Sequence, residues 1–165
     1  MADSKWRFVS LLCVALMANG VMSSKELLSK MSTGFNKVVD GCKSELKVGD
    51  HIMQDMYNFW REEYELVNRE LGCMILCMAG KLGLLGDDQK LHHVNAADFA
   101  KSHGADDDTA KQLVTIIHDC EKANEALDEA CSRALEVSKC FKTKIHELNW
   151  APSFEVMMQE VMSAV

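Results

Sequence analysis

Proline is nearly absent from this sequence, which has one in 165 residues, Pro152. No proline therefore interrupts a helix before position 152, where it would remove a hydrogen bond and clash with the preceding turn. Strand-type alternation, internal repeats and low-complexity tracts are absent as well. These absences, and a length that suits one core, predict a single all-α domain.

The chain also lacks an excess of positive charge, with 18 Lys and Arg against 25 Asp and Glu. This acidic balance argues against nucleic acid as a partner and against a membrane-active peptide, which is typically basic. His118, Asp119 and Cys120 superficially resemble the motif of a secreted helical lipid hydrolase, but no glycine-rich calcium loop accompanies them. We therefore expect no enzyme activity and no cofactor.

Long apolar runs are confined to the N-terminus. Lys5 and Arg7 precede an apolar stretch over residues 8–18, which small and polar residues follow as far as Ser23. This is the layout of a secretory signal peptide, and the stretch is shorter than the roughly 20 residues that cross a bilayer. We expect residues 1–23 to be a signal peptide, cleaved after Ser23, and the remaining chain to be secreted.

Six cysteines remain after residue 23, and an even number in an exported chain predicts three disulfides. No pair has the C-x-x-C spacing of zinc ligands, so we expect no metal site there. Cys73 and Cys77 lie one helical turn apart and can each reach a different neighbouring element. Spacing alone leaves all of the roughly fifteen possible pairings of six cysteines open.

Apolar periodicity predicts six helices and a tail. The aspartates at 106–108 mark one helix start, after which Ala110, Leu113 and Ile117 share a face. Beyond Pro152, apolar residues again recur at helical spacing, so the C-terminal segment is able to form a seventh helix. The predicted helices cover about 24–45 with a break near Gly41, 51–57, 69–80, 93–102, 107–121 and 130–148.

The cysteine spacing, Cys42-x30-Cys73-x3-Cys77-x42-Cys120-x10-Cys131-x8-Cys140, resembles that of insect odorant-binding proteins. Four further stretches are similar to moth (lepidopteran) pheromone-binding proteins in particular, and the similarity runs over the whole chain after residue 23. The general odorant-binding proteins of moths, which bind plant volatiles, share the cysteines and are the alternative. The four stretches are 55–60, 91–93, 99–105 and 145–152.

This resemblance implies helices packed around an internal apolar cavity, with residues 24–150 as the ligand-binding domain and 151–165 as a switch segment. It also implies a function, which is to solubilise a long-chain odorant or sex pheromone in antennal sensillum lymph. The implied ligand is an unsaturated acetate, aldehyde or alcohol, and acidification near the receptor membrane releases it. The implied partners are the small hydrophobic ligand and, transiently, the receptor-cell membrane, and homodimer formation is left open. The implied disulfides are interlocked: Cys42 with Cys77, Cys73 with Cys131, and Cys120 with Cys140.

Periodicity alone would assign the aromatic residues to a plain core, whereas the resemblance places them on the cavity wall. Ala79 stands where some relatives have a serine that hydrogen-bonds an alcohol, which favours an acetate or aldehyde. Ser32 is then the expected substitute donor, unless it is only a solvated helix residue. Met31, Met74 and Met78 would let the wall adapt to a flexible chain. The expected wall residues are Phe35, Phe59, Trp60, Ile75, Ala79, Leu91, Phe99, Val114, Ile117 and Phe141, with Phe35 and Phe141 enclosing the unsaturated chain.

Histidines are the remaining candidates. A metal site at His92 and His93 is disfavoured, because neighbouring side chains point in different directions and we expect no free carboxylate or cysteine ligand nearby. A solvated or structural role is the general alternative. The resemblance implies instead a pH-sensitive gate that also includes His118, while protonation of Glu155 and Glu160 lets the tail enter the cavity. Ordinary pKa values place this transition roughly between pH 4.5 and 6.5.

Overall fold

The computed structural model describes residues 22–153 and 155–156. Within those residues there are seven helices and no strand, which confirms the all-α class, and an isolated antiparallel bridge joins Leu85 to Leu91. Most of the predicted signal peptide, residues 1–21, lies outside the described residues. The helices are α1 (Ser24–Asn36), α2 (Val39–Leu46), α3 (Asp50–Tyr57), α4 (Arg69–Lys81), α5 (His93–Ser102), α6 (Asp107–Ala123) and α7 (Ala130–Glu147).

The first predicted helix is two helices, which makes seven instead of six. Its break falls at residues 37–38, where the Val38 N–H donates to the Phe35 carbonyl at 3.2 Å and closes the last turn of α1 tightly. Gly41, where the break is expected, lies inside α2. The bend is favoured by burial, because it directs Val39 and Cys42 into the core.

Helices α4 and α7 form the frame of the molecule. Gly72 lies so close to the backbone carbonyl of Cys131 that a Cβ at this position would overlap it. At the same end, Arg69 donates two hydrogen bonds to the Glu129 carboxylate, which also caps α7 by accepting from the backbone N–H groups of residues 131 and 132. These contacts lower the pKa of Glu129 to about 2, with the Arg69 hydrogen bond as the largest cause.

Three disulfides lock this frame to its neighbours, and their pairing is the one that the resemblance implies. Cys42 joins Cys77 and so ties α2 to α4. Cys73 joins Cys131, and Cys120 joins Cys140, which ties α4 and α6 to α7. Because α4 carries two of the six cysteines, two disulfides converge on one helix.

Buried polar contacts fix the irregular segment 58–68, which leads from α3 to α4. The carboxylate of Asp55, only 2% exposed, accepts from the Tyr64 hydroxyl at 2.6 Å and from the Asn68 amide. The Lys142 ammonium donates to the Tyr64 carbonyl at 2.6 Å, and burial lowers the pKa of this lysine. The segment is thus held to both α3 and α7, which positions Phe59 and Trp60.

Buried apolar residues form two clusters. One gathers α2, α3 and α4 around Ile52, Leu71 and Met74. The other gathers α1, α5, α6 and α7 around Leu28 and Ile145. Among the residues that the structure describes, no helix combines the length and apolarity needed to cross a membrane.

Candidate ligand-binding site

A cavity of about 820 Å³ lies inside the helical bundle. Its volume is in the range of small-molecule sites, and most of its wall is apolar. Residues of both core clusters reach it, among them Leu28 of the second cluster and Leu71 of the first. The predicted wall residues that line it are Ser32, Phe35, Phe59, Trp60, Ile75, Ala79, Leu91, Ile117 and Phe141.

Phe99 and Val114 are not on the cavity surface, which corrects the prediction for these two residues. Helix α5, which carries Phe99, contributes no residue to the lining. The Phe99 ring meets Phe35 edge to face at 5.6 Å, so it supports the wall from behind. Val114 lies one turn before Ile117 on α6, and the cavity does not extend that far along the helix.

The aromatic side chains form a continuous series on one side of the cavity. Phe59 and Trp60 meet edge to face with ring centroids 4.9 Å apart, and Trp60 meets Phe141 in the same manner at 6.1 Å. Such pairs stabilise each other beyond their apolar burial, so these rings are held in place before a ligand enters. A rigid aromatic surface of this kind suits the flat, polarisable double bond of an unsaturated chain.

Methionines contribute more of the wall than the sequence analysis anticipates. Met31 and Met78 line the cavity as expected, whereas Met74 is fully buried behind it. Met53 and Met56, both on α3, are wall residues that sequence reasoning missed. The only available signal was the high methionine content, 11 of 165 residues.

Ser32 and Trp60 form a polar pair inside this apolar wall. The Trp60 indole N–H donates to the Ser32 hydroxyl oxygen at 3.0 Å, and that hydroxyl donates to the Leu28 carbonyl at 2.8 Å. The Ser32 proton is thus engaged by the backbone. Because a hydroxyl has two acceptor lone pairs, Ser32 offers a ligand one free acceptor instead of the expected donor.

The chain after α7 turns back across the cavity. Asn149 adopts a left-handed backbone with φ of 56°, a conformation that asparagine tolerates at helix ends, and the Trp150 N–H then donates to the Ile145 carbonyl. Pro152 is buried, and both it and Ser153 line the cavity. The described start of the predicted switch segment therefore lies against the body of the protein.

Glu155, one of the two predicted tail switches, is exposed. Hydrogen bonds from its own backbone N–H and from the Ser153 side chain lower the pKa of its carboxyl group. The Glu155 carboxylate therefore stabilises the folded protein above the ordinary pKa of a glutamate. This contribution is lost as the pH falls through the lowered pKa of Glu155. Glu160 and the expected location of residues 157–165 lie outside the described residues.

The candidate gate histidines directly follow residues of the cavity wall: His92 and His93 come after Leu91, and His118 comes after Ile117. His92 caps α5 by accepting from the Asn95 N–H at 3.3 Å, and the ring of His93 meets that of His118 edge to face at 5.0 Å. The expectation that no free carboxylate lies near His92 and His93 is wrong for His93, because ligand atoms of Glu121, His93 and His118 lie within 4.8 Å of one another. Its position three residues after His118 on a helix could have indicated this contact. The gate function stays a prediction.

Comparisons with known proteins agree with this architecture. The model of the PBP/GOBP family matches residues 24–144. Pheromone-binding protein 2 of Epiphyas postvittana is 42% identical over 156 residues, which cover 94% of both chains. General odorant-binding protein 2 of Heliothis virescens is 36% identical over 152 residues, 92% of this chain and 93% of that one. The crystal structure of Epiphyas postvittana pheromone-binding protein 3 is similar with a TM-score of 0.65 and 52% identity, over 70% of this chain and 98% of that chain.

Proposed function

Because the chain belongs to the PBP/GOBP family, we propose that it carries a long-chain unsaturated odorant or sex pheromone through an aqueous extracellular fluid. The observation that carries this proposal is the apolar cavity of about 820 Å³ with its series of aromatic rings. The relatives named above are binding proteins, and we assign no catalytic role to this chain. A carrier of plant volatiles is the second candidate, because general odorant-binding proteins are among its relatives.

The energy of binding fits a carrier. Burying about 14 methylenes at roughly 0.8 kcal/mol each gives a gross gain of about 11 kcal/mol. An association cost of about 4 kcal/mol leaves about 7 kcal/mol, which corresponds to micromolar affinity. Such affinity keeps an insoluble ligand in solution and still permits its release.

Displacement of a fluorescent apolar probe tests the proposal. Linear mono-unsaturated chains of about 12 to 18 carbons should displace the probe, since each added methylene buries more apolar surface. Compact terpenoid plant volatiles are the comparison set, and their stronger binding would favour the general odorant carrier. A carrier role would be refuted if unrelated polar solutes displaced the probe to the same degree, or if no long-chain compound displaced it.

The polar end of the ligand can be tested in the same assay. Ser32 has an acceptor free, so an alcohol, which can donate to it, should lose more affinity in Ser32→Ala than the acetate or aldehyde of the same chain. Ala79→Ser should add a donor to the wall and strengthen binding of a ligand whose polar end reaches it. Equal losses for all three ligands in Ser32→Ala would mean that Ser32 only orients Trp60.

We place the carrier outside the cell, in the lymph of antennal sensilla, after removal of residues 1–23. The signal-like N-terminus and the three disulfides support secretion, since disulfides persist in oxidising compartments. In this proposal its contact with the receptor-cell membrane is transient. Mass spectrometry of the protein purified from its own tissue would give both the N-terminal residue and any retained ligand.

We also propose that acidification releases the ligand by moving the C-terminal segment into the cavity. Residues 151–153 already border the cavity, so the segment needs no long displacement to enter it. The charge of Glu155 opposes its burial, and its lowered pKa moves the expected release toward the acidic end of the predicted range.

The test compares ligand affinity at about pH 7 and about pH 5 for the full secreted chain and for a version that ends at Trp150. The full chain should lose affinity at the lower pH and the truncated chain should keep it. Glu155→Gln, which removes the charge without removing the segment, should lose affinity at a higher pH than the unchanged protein. An unchanged acid loss after truncation would show that the segment is not the displacing element.

A further inference from the structure

A group of potential metal ligands lies at the edge of the cavity, outside the apolar wall. It consists of His93 at the start of α5 and of His118 and Glu121 on α6. One ligand atom from each residue lies within 4.8 Å of the others. The two imidazole rings are exposed, so a cation can reach them from solvent.

The donors are those of a transition-metal site. Two imidazoles and one carboxylate suit zinc or a neighbouring divalent transition metal, whereas calcium and magnesium prefer oxygen ligands throughout. A tetrahedral zinc ion with ligands at about 2.1 Å needs its ligand atoms about 3.4 Å apart. Because the ligand atoms lie within 4.8 Å of one another, the side chains must close by at most about 1.4 Å, which the exposed rings of His93 and His118 can do by rotation.

The carboxylate is already oriented for this role. One oxygen of Glu121 accepts a hydrogen bond from the Leu91 backbone N–H at 2.7 Å. The other oxygen can then serve a cation, and outer hydrogen bonds of this type are what position metal-ligating carboxylates. The Glu121 carboxyl group also brings a negatively charged ligand to the group, as is common in zinc sites.

We propose that His93, His118 and Glu121 bind a divalent transition-metal ion, best matched by Zn²⁺, with water completing the coordination. The ion joins the start of α5 to α6 and, through Glu121, fixes the Leu91 segment that forms part of the cavity wall. Bound metal therefore slows the escape of a ligand from the cavity. Metal binding itself is independent of the proposed carrier function, and only this effect on ligand release depends on it.

Titration of the chelator-treated secreted chain with Zn²⁺ in a calorimeter at about pH 7.5, where imidazoles are neutral, tests the site. We expect saturation at one ion per chain. His118→Ala and Glu121→Gln should each weaken binding at least about tenfold, with circular dichroism showing that the variants keep their helices. Cobalt added in place of zinc should give a visible absorption band of tetrahedral coordination, which both variants lose.

His51→Ala is the matched control, because His51 and Glu70 form an exposed histidine–carboxylate contact at 2.9 Å elsewhere on the surface. This variant should bind zinc like the unchanged protein. Absence of saturable binding, unchanged binding in His118→Ala, or an equal loss in His51→Ala would overturn the site. With zinc bound, a fluorescent apolar probe should dissociate more slowly from the unchanged protein than from His118→Ala, and equal rates would overturn the coupling to the cavity.

Discussion

Replacement of Phe141 by alanine separates a ligand-contacting role from a packing role. Phe141 is half-buried, with one part of its ring against Trp60 and another on the cavity surface. Ile145 lies one turn later on the same helix, is completely buried, and does not line the cavity. Ile145→Ala is therefore the matched control, a loss of packing without a loss of ligand contact.

Phe141→Ala should mainly weaken ligand binding, whereas Ile145→Ala should mainly lower the stability of the fold. A phenylalanine ring buries about 150 to 250 Å². If about 80 Å² of it covers the ligand, its loss costs about 2 kcal/mol of binding at 25 cal/mol per Å². This corresponds to roughly 25-fold weaker affinity. Ile145→Ala should cost about 2 to 5 kcal/mol of folding free energy and leave the affinity of the folded protein nearly unchanged. Phe141→Ala should destabilise less, because part of its ring lies on the cavity surface and not in the packed core.

Two measurements on each variant decide the matter: the thermal midpoint of unfolding, and the affinity for a long-chain ligand at a temperature where the variant is folded. The midpoint of Ile145→Ala should fall by about 10 °C, and that of Phe141→Ala by clearly less. The assignment of Phe141 to the ligand site would be refuted if the midpoint of Phe141→Ala fell as far as that of Ile145→Ala while the affinity of Phe141→Ala for the ligand stayed unchanged.

Three further predictions concern the frame. Gly72→Ala should lower the thermal midpoint severely, because its Cβ would overlap the Cys131 carbonyl. Gly80→Ala, with open space around it, should instead increase the free energy of unfolding by about 0.5 to 1 kcal/mol and raise the midpoint slightly, and equal effects of the two substitutions would refute the close approach at Gly72. Glu129→Gln should lower the thermal midpoint at neutral pH. Because the pKa of Glu129 is lowered, the stability that its carboxylate contributes is lost on protonation, and the midpoint difference between the two proteins should vanish as the pH falls from about 4.5 toward about 2. A midpoint difference that stays constant over this range would contradict the assignment. Replacing Cys120 and Cys140 together by serine should cost about 3 kcal/mol, as denaturant unfolding of the variant would measure, and no change would argue against that disulfide.

The sequence predicts the covalent frame of this protein better than its cavity surface. The family resemblance implies the disulfide pairing, which the cysteine spacing alone leaves open, and periodicity places most helices within a few residues of their observed bounds. Periodicity cannot distinguish a residue on the cavity wall from one just behind it, because both are apolar and face inward. For this reason the sequence places Phe99 and Val114 on the wall, although neither lines the cavity. The break after α1 was misplaced because burial of Val39, a tertiary effect, outweighed the weak helix propensity of Gly41.

Polar details were predictable only in part. The expected donor role of Ser32 failed because a hydrogen bond to the backbone carbonyl four residues earlier, here that of Leu28, is a local option for any helical serine. The Trp60 partner of Ser32 is 28 positions away and has no sequence signal. The spacing of His118 and Glu121 on α6 indicates that these two residues are neighbours, but only the packing of α5 on α6 brings His93 to them.

The three disulfides are unevenly distributed over the cavity wall. They connect α2, α4, α6 and α7, while α1 and α3, which supply Phe35, Met53 and Met56 to the cavity, carry no cysteine. Local opening requires least free energy where few contacts have to break at once. Thermal breathing of the cavity should therefore occur mainly at α1 and α3, and amide hydrogens there should exchange with deuterium sooner than those of α4 and α7. We therefore expect a bulky ligand to enter where α1 or α3 separates from α4 and α7.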